Sequence, residues 1–295
     1  MTEIVSDILE RELVRPVPEA VKAVSDAILE RHGEAVVAIL FYGSMLRADD
    51  PDGILDLYVL TESLLGFHRS IVPAFANALL PPNVIYWEVL GPGGVIRSKV
   101  AVMGLDSFAR RARGHGIDTT VWARFCQPVV LVYARDQGVR VVIVDAIMES
   151  IRTAVRWALR LNDGAASSEA VWTDVFRHTY GAELRAERPG RGASIYSFAP
   201  DRYDRFLTLL RQDETAGWRG ATRCAWPLLR SCGKILNLAR LAKAAFTFQN
   251  GVDYLVWKIE RHAGRSVEIS QWERRHPFLS APQVIWRLYK DGLIR

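Results

Sequence analysis

Residues 35–42, Ala-Val-Val-Ala-Ile-Leu-Phe-Tyr, form a near-continuous apolar run built mainly from strand-forming residues. A run so short and so uniformly apolar has no polar face to offer water. It therefore predicts a strand covered on both sides. The run stops at Gly43-Ser44, where the chain can turn and where a backbone without a side chain can come close to a ligand. A polar, acidic loop follows over 47–53, and residues 54–60 read as a second strand whose acid is Asp56.

Further along, the periodicity predicts helices over 17–31 and 66–80, strands over 83–90 and 95–103, a short basic helix over 107–113, and another buried strand over 128–134. After about residue 138 the pattern turns helical: 142–161, 168–179, 201–210 and 225–248, with short elements around Trp257, Trp272 and Trp286. Residues 190–193 read as an exposed loop. Strands mixed with helices, then helices alone, predict an α/β (α+β) fold: a mixed sheet with flanking helices over 1–137, followed by an α-helical domain over 138–295.

Composition narrows the function. No apolar run approaches the roughly 18–20 residues that a membrane-spanning helix needs. The early acids Glu3, Asp7, Glu10 and Glu12 do not suit a signal or transit peptide, so a cytoplasmic protein is expected. Cys126, Cys224 and Cys232 form no CxxC pair, and the six histidines form no HExxH, which argues against a disulfide framework or a zinc site. Charge is divided unevenly: 14 Lys and Arg against 19 Asp and Glu in residues 1–150, and 24 against 14 in residues 151–295. The C-terminal half is thus expected to meet something anionic.

The chemistry sits in Tyr42-Gly43-Ser44 and Asp56. Backbone amides and a hydroxyl at a strand end can hold a triphosphate, and a carboxylate on the neighbouring strand can hold Mg²⁺ against the same phosphates. This strand, Gly-Ser, loop and carboxylate strand resembles the DNA polymerase beta-like nucleotidyltransferase superfamily. That superfamily usually places two acids two residues apart on the second strand, and here the partner position is Tyr58. A second ligand could come from Asp50, Asp52, Glu62 or Glu88. Glu88 is the first choice, because it interrupts an apolar strand where an unpaired carboxylate is costly to bury.

The departure at Tyr58 resembles one family, the mitochondrial-type phosphatidate cytidylyltransferases. They also carry Tyr-Gly-Ser and then a hydrophobic-Leu-Asp strand with no second acid, here Ile54-Leu55-Asp56-Leu57-Tyr58-Val59. An aromatic-His pair follows, matched by Phe67-His68. Looser matches come in the same order: Lys99-Val100-Ala101-Val102, Arg124 to Pro128-Val129, Thr179-Tyr180-Gly181-Ala182-Glu183-Leu184-Arg185, and Lys243-Ala244-Ala245-Phe246-Thr247. The resemblance covers roughly 35–250. It implies CMP transfer from CTP to phosphatidic acid, giving CDP-diacylglycerol and pyrophosphate, with Mg²⁺ as cofactor. It also implies roles: Asp56 and Glu88 at the metal, Tyr42, Gly43, Ser44 and His68 at the nucleotide, Lys99 and Arg124 in catalysis, and Arg185 and Lys243 at the lipid phosphate.

A lipid substrate implies an anionic membrane surface as partner, nucleic acid not being the expected one, and a peripheral place at the inner face of the cell membrane. The helix expected over 225–248 suits that surface, with Leu228, Ile235, Ala239, Ala242 and Phe246 on one face and Arg230 and Lys234 on another. Two other readings stay open on the residues alone: transfer to a soluble acceptor such as an RNA end, a small molecule or a protein, and a non-catalytic binding module that keeps only the fold.

Overall fold

The computed structural model describes residues 2–46, 53–91, 94–162, 167–183, 190–216 and 225–247, and, beyond them, 256–257, 259–260, 267, 269–275, 283–284, 286–287 and 290. Asp50 and Asp52, two of the possible ligands, and Arg185 lie outside the described residues.

Five strands form one mixed sheet: β1 (Val36–Tyr42), β2 (Leu55–Thr61), β3 (Asn83–Gly91), β4 (Gly94–Gly104) and β5 (Val130–Ala134), in the order β3-β4-β2-β1-β5. The β2–β4 pair is parallel and the other three pairs are antiparallel. As the apolar run predicts, β1 is covered on both faces. Ile39 and Phe41 join a cluster with Leu57, Val59, Val100 and Val21, Val24 and Ile28 of α2 (Glu19–His32). Ala38 and Leu40 face the larger cluster, which also holds Tyr58, Phe108, Phe125, Ile143, Trp172 and Phe206. That larger core runs from the sheet through α1 (Thr2–Leu13), α5 (Leu105–Ala112), α6 (Trp122–Phe125), α7 (Gln137–Leu161), α8 (Ser168–Gly181), α9 (Arg191–Phe198) and α10 (Pro200–Ala216).

Several boundaries differ from the sequence reading, each for a local reason. The helix expected over 66–80 is two, α3 (Leu64–His68) and α4 (Ile71–Leu79), because Arg69 takes a left-handed conformation at φ 52. Pro73 then falls in the first turn of α4, where its missing N–H costs little. The long helix α7 starts at 137 and not 142, because the Asp136 side chain caps it by accepting from the Val139 amide at 2.8 Å. Residues 190–193 are not an exposed loop. Gly190 turns at φ 88 into α9, and a Cβ on Gly192 would stand 2.7 Å from the Thr173 carbonyl of α8, so the two helices pack closely there.

A buried ion pair ties the ends of this core together. On α10, Arg202 Nη2 donates to Glu12 Oε1 of α1 at 3.1 Å, and Arg202 Nη1 donates to the Cys126 carbonyl at 2.8 Å. The same Glu12 oxygen accepts from the Val129 amide at 3.2 Å. Replacing one partner strands a buried charge, whereas replacing both removes it. Glu12→Ala is therefore expected to cost about 3–5 kcal/mol in urea unfolding, and Glu12→Leu with Arg202→Met distinctly less. Equal losses in the two variants would contradict this.

Candidate functional site

The pairing register of β1 and β2 sets Tyr42 opposite Asp56, and β4 sets Lys99 against Asp56 from the other side. These residues project from the same sheet face as Leu40, Tyr58 and Ala101, at the strand ends where that core gives way to an opening. Gly43 leaves β1 at φ 95, and a Cβ there would lie 2.5 Å from Asp56 Oδ2. No other residue type takes that backbone angle beside that carboxylate without displacing it. Ser44 opens a single 3-10 turn, Ser44–Leu46.

Above these residues lies a cavity of about 680 Å³, a size that suits a nucleotide-scale ligand. Among the described residues five cationic side chains line it (Lys99, Arg124, Arg191, Arg240 and Lys243) against two carboxylates, Asp56 and Glu183. Its far wall is helix α11 (Ala225–Thr247), which contributes Asn237, Arg240, Leu241, Lys243 and Ala244. Arg191, Arg240 and Lys243 come from the basic C-terminal half.

The cations are held in place by the protein. Arg124 donates to the Thr120 carbonyl at 2.7 Å and pairs with Glu183 at 2.8 Å. Burial works against its charge, but Glu183 and the neighbouring tyrosines outweigh it, and its pKa lies above the ordinary arginine range. Arg240 donates to the Pro81 carbonyl at 2.9 Å, to Thr120 Oγ1 at 3.2 Å and to Asp118 at 2.6 Å. Asp118 is almost fully buried, which alone would raise its pKa. Arg240, Arg111 and the Thr120 amide reverse that and hold the carboxyl below its usual range.

Lys243, expected at a lipid phosphate, lines the cavity but its ammonium serves the turn between α4 and β3. It donates to the Leu80 carbonyl, to the Pro82 carbonyl at 2.8 Å and to Asn83 Oδ1 at 2.8 Å. Burial, and then Arg240, push its pKa down to about 8.

Two expected site residues lie elsewhere. His68 lines a separate small pocket with His32 and Phe67, not the cavity of Asp56. Its Nε2 accepts from Asn77 Nδ2 at 2.9 Å, and burial, then His32 and Lys243, push its pKa down to about 4, so the ring is neutral. Glu88 is not among the residues around the cavity. It accepts from Tyr86 Oη at 2.8 Å and stands 3.5 Å from Arg97 Nε. The register explains its distance: Asp56 aligns with Lys99 and Tyr86, and Glu88 lies two strands over and two residues further along. At strand spacing that is roughly 10 Å or more, too far to share an ion with Asp56. Glu62, another possible ligand, is bound by Arg135 at 2.7 Å.

Tyr58, at the position of the usual second acid, is 1% exposed and packed among Tyr42, Phe108 and Phe125. Burial pushes its pKa up to about 12. Among the described residues no group of three or more His, Cys, Asp or Glu side chains could hold a metal ion. Glu183 is engaged by Arg124, so Asp56 is the described acid placed to meet one. Among the described residues the donor set fits a single Mg²⁺ shared with a ligand's phosphate oxygens.

Arg240, Arg191, Thr120 and Asn237 were not singled out from the sequence. One signal was present: Asn237, Arg240, Lys243 and Ala244 recur at helical spacing in a helix without a single acid.

No family model and no curated protein matches the chain. Among solved structures it is similar to a nucleotidyltransferase-like protein from Exiguobacterium sibiricum 255-15. The identity is 12% over 93% of this chain and 92% of that one, with a TM-score of 0.28. Backbones that diverge so far transfer neither a residue role nor an activity.

The tight approach of Gly43 to Asp56 gives a direct test. Gly43→Ala is expected to push the Asp56 carboxylate out of its place, since a Cβ there would stand 2.5 Å from Asp56 Oδ2. A crystal structure of the variant checks it, and an Asp56 side chain left in the same position would contradict the tight approach.

Proposed function

We propose that this chain is a nucleotidyltransferase that moves CMP from CTP to the phosphate of phosphatidic acid, releasing pyrophosphate. The observation that carries the transfer chemistry is the Gly43–Asp56 approach at the floor of a cavity rich in cations. The choice of CTP and of the lipid rests on the ordered resemblance from Tyr42 to Lys243.

In this reading the Gly43 and Ser44 amides and the Ser44 hydroxyl hold the β- and γ-phosphates, and Asp56 holds Mg²⁺. The ion, when bound, offsets charge on the phosphate oxygens. Lys99, opposite Asp56 on β4, neutralises the triphosphate from the neighbouring strand. An acceptor phosphate oxygen attacks the α-phosphorus, the bond to the β-phosphate oxygen breaks, and its electron pair leaves with pyrophosphate. Little covalent work falls to the protein, whose task is to align two anions and neutralise them. Arg124, fixed by Glu183 and Thr120, meets the charge that develops between them. Since the 80–83 turn holds Lys243, the acceptor phosphate falls to Arg191, a cation at the cavity wall stacked on Tyr180 at 5.9 Å. Arg185 remains a further candidate for that phosphate on the resemblance alone.

Purified protein incubated with labelled CTP, Mg²⁺ and phosphatidate vesicles is expected to yield lipid-linked CMP. Asp56→Ala should lower the rate about 100-fold or more. Label transferred equally without lipid would move the reading to a soluble acceptor. No transfer to any acceptor would overturn it.

A further inference from the structure

The sheet gives the cavity two rows of side chains. Strand pairing aligns Tyr42, Asp56 and Lys99 in the first row, and Tyr58, Ala101 and Val84 in the second. All six line the cavity. Two residues along a strand separate the rows, about 6.5 Å at ordinary strand rise. The first row carries the carboxylate and ammonium described above. In the second, Ala101 and Val84 are small, and of the three only Tyr58 brings a polar side-chain atom.

That atom is out of place in an apolar core. The Tyr58 ring is wedged among Phe125, Tyr42 and Phe108, with centroids 5.1, 5.6 and 6.2 Å away. A phenylalanine would fill such a site. Yet the Tyr58 hydroxyl oxygen is buried and has no hydrogen-bond partner among the described residues. Native proteins pair nearly all such groups, and a buried hydroxyl left without a partner counts against the folded state. A hydroxyl kept under those conditions at a cavity wall calls for a partner that arrives with a ligand.

The surroundings select the chemistry of that ligand. Among charged groups, Arg124 and then Arg240 act most strongly on the hydroxyl, ahead of Asp118. Thr120 ties the two guanidiniums together: its carbonyl accepts from Arg124 at 2.7 Å and its hydroxyl oxygen from Arg240 at 3.2 Å. Both arginines line the cavity with Tyr58. A neutral O–H donor beside two fixed cations suits an anionic oxygen, and a phosphate has oxygens enough for all three.

We propose that Tyr58, Arg124 and Arg240 form a phosphate subsite in the second row, where the Tyr58 hydroxyl donates a hydrogen bond to an oxygen of a bound phosphate ester. The residue that stands in place of an expected second acid is thereby a ligand-binding group. The inference deepens the transfer reading and rests on it for the kind of ligand, and binding measured without turnover tests it apart from that reaction.

Tyr58→Phe removes the hydroxyl and keeps the ring. Titration calorimetry with two probes reads the effect: a non-hydrolysable CTP analogue with Mg²⁺, and glycerol 3-phosphate alone. Binding of at least one is expected to weaken about 10- to 100-fold, as for a hydrogen bond to a charged group. Loss confined to the CTP analogue assigns the subsite to the nucleotide, and loss confined to glycerol 3-phosphate assigns it to the acceptor. The melting temperature of the ligand-free variant is expected to stay level or rise, because a buried donor without a partner is gone. Two unchanged affinities would overturn the proposal and leave a hydroxyl that serves only an internal water. A melting temperature lower by about 3 °C or more would also overturn it, since that marks a structural partner. So would wild-type protein that binds neither probe.

Discussion

The site depends on one steric constraint, the approach of Gly43 to Asp56. A buried β1 must end in register with β2 so that Tyr42 faces Asp56, and the chain must then leave at φ 95 without a side chain. Burial of β1 on both faces fixes that register, since a slip of one residue would exchange the faces of Ile39 and Leu40 and cost both cores. The parallel β4 then adds Lys99 to the same spot. One carboxylate and one ammonium thus come to the same end of the sheet through backbone pairing alone, before any helix contributes.

The helical half completes what the sheet begins. Packing through the larger core brings α8 and α9 over the sheet's open end, and with them Glu183 and Arg191. Polar contacts fix the far wall: Asp118 gathers Arg111 and Arg240, while Lys243 closes on the turn after α4. These buried charges are satisfied in pairs, so their cations stand oriented around the cavity instead of moving through solvent. Among the described residues no helix is long and apolar enough to cross a membrane.

Much of the sheet was legible because buried strands have a plain signature. Residues 35–42, 54–60, 83–90 and 95–103 each fall on a strand, and Tyr42, Gly43, Ser44, Asp56, Lys99, Arg124 and Lys243 all meet at one cavity. What failed was long-range. Glu88 looked costly to bury, but its strand lies near the sheet edge, where Tyr86 and Arg97 satisfy it. His68 follows an aromatic residue as the resemblance has it, but the break at Arg69 turns its ring toward Asn77 and Asn83. Arg240 was invisible because its role depends on Asp118, more than a hundred residues away in sequence, which no local pattern reveals.

In the proposed transfer a triphosphate lies against Gly43 and Ser44 with a metal ion on Asp56. Electron paramagnetic resonance of Mn²⁺, used in place of Mg²⁺, measures this most directly. A single bound Mn²⁺ is expected, appearing only when a non-hydrolysable CTP analogue is added and removed by Asp56→Ala. Mn²⁺ bound equally well without the nucleotide, or held undiminished by the Asp56→Ala protein, would contradict it.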